Sequence, residues 1–231
     1  MPGPIALVGS GEYTDAMLDV DKVLLDGRAP RYVQIPTAAA PEGENVLDKW
    51  IGMGIDHAGK LGAEPVPLRV RTREDAENPQ IVAQLGEPGL VYFSGGNPLF
   101  LTETLRDTLL WREIVRLWEA GTALGGCSAG AMAFGAWVPD IRHPTKAGIP
   151  GLGLVPGLRV LPHFDRFLGR MPDVLMRPFL RPIDGVVTVG VDEDTALVGG
   201  PETYAVMGRR SAWLLEAGHR REFSTGSAFR L

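Results

Sequence analysis

Three groups of residues in this chain could combine into a hydrolytic centre: a serine in a glycine-flanked turn, a histidine behind a short apolar run, and an acidic triplet behind another. The serine is Ser128, in Gly126-Cys127-Ser128-Ala129-Gly130. Before it, Gly121-Thr122-Ala123-Leu124-Gly125 is short and apolar enough for a buried strand, and after it Ala131-Met132-Ala133-Phe134 is a run of good helix formers. A strand, one residue, then a helix, with small residues two before and two after the hydroxyl, is the nucleophile-elbow pattern. A serine at the tip of so tight a turn is held in a strained backbone conformation, and side chains at the flanking positions would collide. Glycine at 126 and 130 removes that collision. The turn also aims the Ala129 amide and the start of the helix at the place where an oxyanion would form. Without partners the same spacing fits a plain strand-to-helix turn with an inert serine. Cys127, the one cysteine of the chain, is a rival nucleophile. An elbow centred on it would need glycine two residues later, where Ala129 stands, so Cys127 reads as a small buried strand residue.

A serine hydroxyl needs a base, and a neutral imidazole suits neutral pH. Of four histidines, His57 lies in a helical stretch and His219 near the C-terminus, and both read as solvated or structural. His163 directly follows the apolar run Leu158-Arg159-Val160-Leu161 and is the preferred base, provided that run joins the sheet carrying Ser128. His143, in a proline-rich loop after the elbow, is the second choice. The imidazole then needs an acceptor to fix its tautomer. Asp192-Glu193-Asp194 ends an apolar strand, although such a triplet is equally at home in a solvated turn, and Asp140 is a rival. Gly95-Gly96, at another strand end, would let a backbone amide approach a substrate and supply a second oxyanion donor beside Ala129.

These groups need a scaffold that brings several strand ends to one rim. Ile5-Ala6-Leu7-Val8, Arg31 to Ile35, Glu64 to Val70, Gly89 to Phe93 and the strand before Ser128 alternate with helical stretches at about 44–61, 73–85 and 102–120. In the last, Leu105, Leu109, Ile114 and Trp118 would share one buried stripe. Such alternation implies a parallel sheet covered on both faces, with ligands at the carboxyl ends of its strands. From about Val138 shorter strands follow, at 158–161, 186–189, 196–198, 204–207 and 212–215. They read as extra strands and hairpins on the same sheet. No linker or repeat divides the chain, so residues 1–231 are expected to form a single domain.

Composition narrows the function further. The 231 residues carry a net charge of −5, with 45% hydrophobic and 22% charged residues and no basic block, which argues against nucleic acid or an anionic membrane as a partner. No stretch reaches the roughly 18 apolar residues of a membrane span. One cysteine cannot form an internal disulfide, and the start lacks the pattern of a secretory signal, so a cytoplasmic setting is expected. The thirty glycines and nineteen prolines are spread along the chain and read as tight turns.

Together the motifs resemble the cyanophycinase and aspartyl dipeptidase family of serine peptidases. Gly9-Ser10-Gly11-Glu12 is similar to the family's first-strand loop, Gly95-Gly96-Asn97 to its oxyanion loop, and Gly126 to Ala131 to its elbow. His163-Phe164 resembles the catalytic His-Phe, and Gly190 to Leu197 resembles the cyanophycinase-type Gly-Ile-Asp-Glu-x-Thr-Ala-Leu segment. The resemblance implies an α/β three-layer sandwich with a mainly parallel central sheet, of the class I glutamine amidotransferase-like, flavodoxin-like kind. It implies Ser128 as nucleophile, His163 as base and Glu193 as orienting acid, with Asp140 as the alternative acid found in the dipeptidase branch. Gly96 and Ala129 would form the oxyanion hole; Asn97, Arg166, Arg170 and Glu12 would face the substrate. That substrate would be a small peptide or amide, with an ester as an alternative, and neither cofactor nor metal is implied. Leu161-Pro162 before His163, Pro98 in the oxyanion loop and the out-of-step Arg166 and Arg170 depart from the cyanophycinase pattern, so cyanophycin itself is not the expected substrate. A catalytically inactive amidotransferase-like protein that binds a small ligand or partner is the alternative reading, and homodimerisation stays open.

Overall fold

Short strand runs, mostly buried except at the edge strand 64–67, alternate with amphipathic segments through the first half. The computed structural model describes residues 1–140, 143, 146, 148–166, 180, 182–200, 202–216 and 219–230. In chain order the first elements are β1 (Ile5–Val8), α1 (Leu18–Leu25), β2 (Arg31–Ile35), α2 (Glu44–Lys60) and β3 (Glu64–Pro67). Then come α3 (Arg73–Ala76), α4 (Pro79–Val82), β4 (Leu90–Phe93), α5 (Pro98–Leu105), α6 (Leu109–Glu119), β5 (Ala123–Cys127) and α7 (Ala129–Phe134). The second half is mostly strand: β6 (Trp137–Val138), β7 (Ile149–Pro150), β8 (Leu158–Leu161), β9 (Val187–Val191) and β10 (Thr195–Gly199). It ends with β11 (Thr203–Gly208), β12 (Ser211–Glu216), β13 (His219–Ser224) and β14 (Ala228–Arg230).

An eight-stranded sheet of order β14-β11-β10-β1-β5-β4-β2-β3 forms the centre. The five strands from β1 to β3 in that order are parallel, and β10, β11 and β14 extend the β1 edge antiparallel. Every residue of β1, β4 and β5 is buried. Alternate residues feed two separate cores, as the period of a strand requires. Ile5, Leu7, Val91, Phe93 and Leu124 pack with α5, α6 and α7, whereas Ala6, Val8, Leu90, Tyr92 and Cys127 pack with α1 and α2. Helix, sheet and helix therefore form the three layers of the expected α/β sandwich.

Two expected helices are divided. The 73–85 stretch breaks at Asn78-Pro79, because proline carries no N–H to continue a helix and the Asn78 side chain caps α4 through Gln80 N–H. The 102–120 stretch starts earlier, at Pro98, and breaks where Asp107 adopts φ 59° and Thr108 Oγ1 caps α6 through Trp111 N–H. The restart resets the helical phase. Its buried stripe is Leu110, Trp111, Ile114 and Leu117, with Leu109 and Trp118 only half buried.

The later strands do not all join the central sheet. The 196–198 and 204–207 runs do so as β10 and β11, but 158–161, 186–189 and 212–215 contribute β8, β9 and β12 to a four-stranded sheet of order β13-β12-β9-β8. The free side of β1 is taken by β10, so β8 pairs in parallel with β9 instead. The chain changes sheet between β9 and β10, through Asp192-Glu193-Asp194, where Asp194 has φ 54°. Among the described residues no helix is long and apolar enough to cross a membrane.

Candidate active site

Ser128 sits between β5 and α7 with φ 48° and ψ −101°, a conformation that non-glycine residues rarely adopt. Hydrogen bonds hold it there: its N–H donates to the Val8 carbonyl at 2.9 Å, and its carbonyl accepts from Met132 N–H at 3.0 Å. The flanking glycines are needed for close approach. A Cβ on Gly126 would lie 2.7 Å from the Gly130 carbonyl carbon, and one on Gly130 2.7 Å from the Phe93 carbonyl oxygen.

His163 arrives from the other sheet. Its N–H donates to the Gly9 carbonyl beyond β1 at 3.3 Å, and Phe164 N–H donates to Val191 at 3.1 Å. The residue between β8 and that crossing, Pro162, leads into a left-handed His163 with φ 49°. The ring then lies with Nε2 3.1 Å from Ser128 Oγ and Nδ1 3.0 Å from Glu193 Oε1. The two side chains are 31% and 18% exposed, so the pair is partly shielded yet within reach of solvent.

The acidic triplet is not a uniformly solvated turn. Asp192 points into the second sheet, where Trp213 Nε1–H donates to it at 2.9 Å and Ser211 N–H at 3.3 Å. Burial pushes its carboxyl above the usual range, with those two donors acting the other way. Glu193 points to His163. Its N–H donates to Asp165 Oδ1 at 3.0 Å, and Arg210 is ion-paired to the other Asp165 oxygen. Arg166 Nε lies 3.5 Å from Glu193 Oε2 with its side chain 67% exposed. Nothing in the sequence marks Asp165 and Arg210 as supports for the acid-bearing turn, apart from Asp165 standing two residues after His163.

Other sequence-derived residues lie in different settings. Asp140 accepts from the backbone N–H of His143, whose Nδ1 is 3.1 Å from its other oxygen, so this acid faces His143. His57 is buried against Asp21. Asn97, expected to face substrate, uses its side-chain oxygen to cap α5 through Phe100 N–H at 3.1 Å. Glu12, also expected there, turns inward and is 7% exposed, accepting from Gly95 N–H at 2.7 Å and from the Cys127 thiol at 2.8 Å. Arg170 lies outside the described residues.

Electrostatics separate the two candidate nucleophiles. Cys127 is fully buried, and burial, reinforced by the Glu12 charge, pushes its thiol well above the ordinary range. A thiol held protonated is a weak nucleophile. On the donor side, Gly95 N–H is occupied by Glu12. Gly96 has φ 139° and comes so close to Ala38 that an added Cβ would lie 2.4 Å from its carbonyl oxygen. Ala129, as the first residue of α7, has an amide without an intrahelical acceptor.

Comparison with known proteins decides the family. The model of peptidase family S51 matches residues 5–205, from β1 into β11, a stretch that includes Ser128, His163 and Glu193. The chain belongs to peptidase family S51. It is 31% identical over 158 residues to a cyanophycinase of Synechococcus elongatus, covering 64% of this chain and 48% of that protein. It is 29% identical over 185 residues to peptidase E of Citrobacter koseri, covering 71% and 79%. The chain thus spans about half the length of the cyanophycinase it matches. A crystal structure of a peptidase from an acI-B1 Actinobacterium superposes with a TM-score of 0.90 at 37% identity, covering 100% of this chain and 98% of the other. The motif resemblance and the family match therefore agree.

Proposed function

We propose that this protein is a serine peptidase acting on a small peptide or related amide, with Ser128 as nucleophile, His163 as base and Glu193 as the orienting acid. The observation that carries the reading is the unbroken series from Ser128 Oγ to His163 Nε2 at 3.1 Å and from His163 Nδ1 to Glu193 Oε1 at 3.0 Å. His163 takes the hydroxyl proton through Nε2 as Oγ attacks the carbonyl carbon. Glu193 accepts the Nδ1 hydrogen, which keeps the reactive nitrogen facing the serine and offsets the imidazolium charge. The amides of Gly96 and Ala129 receive the oxyanion of the tetrahedral intermediate. On collapse His163 returns the proton to the leaving amine, and the acyl group stays on Ser128. Water attacks the acyl-enzyme with His163 again as base, releasing the acid and restoring the serine. Arg166, paired with Glu193 yet 67% exposed, would meet a substrate carboxylate in this reading.

Intact-mass spectrometry after a fluorophosphonate tests the reading directly. One adduct, mapped to Ser128, is expected. No adduct under conditions where a control serine hydrolase reacts overturns it and favours a non-catalytic binding protein. A panel of dipeptides, isoaspartyl peptides and p-nitrophenyl esters then separates peptidase from esterase activity.

A further inference from the structure

Glu12 and the chemistry at Ser128 do not touch, yet Glu12 connects the two backbone segments that would surround an oxyanion. It follows β1 in the turn from Gly11 to Thr14, closed by Thr14 N–H to the Gly11 carbonyl at 3.1 Å. The third residue of that turn, Tyr13, has φ 64°. Consecutive side chains of an extended chain point to opposite faces. The left-handed Tyr13 instead lets residues 12 and 13 grip the same loop. Glu12 Oε1 takes Gly95 N–H at 2.7 Å, and the Tyr13 hydroxyl bonds Ser94 Oγ at 2.8 Å. Glu12 Oε2 takes the Cys127 thiol at 2.8 Å, on the residue just before Ser128. All of these side chains are buried. One carboxylate thereby joins the ends of β4 and β5, each one residue from a group that would act on substrate: Gly96 on one side and Ser128 on the other. Occupying Gly95 N–H also leaves the amide of Gly96 as the donor of that loop.

We propose that Glu12 is a positioning residue that sets the distance between the Gly96 amide and the Ser128 hydroxyl. Charge alone would be a poor reason for a carboxylate at this place, since a buried anion opposes a nearby oxyanion. Its geometric function, two acceptor oxygens spanning two strand ends, is what the site uses. A shift of about 1 Å in such a donor costs on the order of a hundredfold in rate.

The inference rests on the serine-peptidase reading, and the test separates the two. Labelling of Ser128 by a fluorophosphonate is followed over time at several probe concentrations, giving a maximal rate and a half-saturating concentration, with melting temperature measured on each variant. A wild type that fails to label overturns the catalytic reading itself. Given wild-type labelling, Glu12→Ala is expected to lower the maximal rate by about a hundredfold with half-saturation changed by less than about threefold. Glu12→Gln, which keeps a carbonyl oxygen for Gly95 N–H, is expected to recover to within about tenfold of wild type. A wild-type rate in Glu12→Ala, a loss confined to half-saturation, or a Gln variant as slow as the Ala variant overturns the proposal. Should Glu12→Ala not fold, Glu12→Asp decides: it keeps the charge but is one methylene too short to span both partners. Slow labelling is then expected, and a wild-type rate refutes the positioning role.

Discussion

Two of the histidine–carboxylate pairs among the described residues, nearly equal in length, sit in opposite surroundings. His57 Nε2 lies 2.9 Å from Asp21 Oδ2, and His163 Nδ1 lies 3.0 Å from Glu193 Oε1. The first pair, between α1 and α2, is 0% and 1% exposed, shares Asp21 Oδ2 with the Tyr32 hydroxyl at 3.3 Å, and packs against the Tyr13 ring. The second stands at the junction of the two sheets and is partly open to solvent. Distance does not distinguish them. The other ring nitrogen does: His163 Nε2 faces a hydroxyl, whereas the buried His57 Nδ1 has no hydrogen-bond partner among the described residues. An imidazole relays a proton only when both nitrogens are engaged usefully. The His57–Asp21 contact joins α1 to α2, and the His163–Glu193 contact is the one that orients the base in the proposed mechanism.

That contrast is breakable. Ser128→Ala should cut turnover of any substrate found by roughly a thousandfold or more, with melting temperature nearly unchanged, and smaller losses would leave the serine a bystander. Glu193→Gln should cost about a hundredfold or more in kcat, while Asp140→Asn stays within about threefold; the reverse order would transfer the acid's function to the other loop. His57→Ala should act on folding instead, removing about 3 kcal/mol measured by denaturant unfolding because it strands a buried carboxylate. Activity per folded molecule should stay within about threefold, and a selective loss of kcat would erase the distinction between the pairs.

The smallest effect concerns pH. Burial pushes the Asp21 carboxyl above its ordinary value, with the His57 contact offsetting only part of this. The native state therefore binds this proton more tightly than the unfolded chain does. Its contribution to stability is present below about pH 3.9, the unfolded value, and is lost as pH rises through the folded one. Asp21→Asn lacks that decline, so the stability of the variant relative to wild type should improve from pH 4 to 7 in denaturant melts. A variant whose stability relative to wild type stays constant or falls over that range would mean that His57 outweighs burial.

Much of the elbow is local and could be read directly. Gly126, Ser128 and Gly130 fall within five residues, and the close approaches that demand glycine involve that same turn and the adjoining strand end. The strand–helix alternation was equally legible, because buried strands and amphipathic helices impose different periods on neighbouring residues. The break at Thr108 was also locally encoded, by a residue type suited to an N-cap. Sheet membership was not. A short apolar run such as Leu158–Leu161 specifies a strand but not its partner, and β8 pairs with β9 in a separate sheet.

His163 reaches Ser128 from 35 residues away, and Glu193 reaches His163 from 30, because β8 and β9 run in parallel and end together at the rim of β1. The inward turn of Glu12 depends likewise on Gly95 and Cys127, which lie far along the chain. The sequence by itself determined the residue types, the elbow and the alternation, since each follows from contacts within a few residues. Only the tertiary structure decided which histidine meets the serine, which carboxylate meets that histidine and which glutamate faces inward. Those are choices among distant partners, settled by which strand edges remain free to pair.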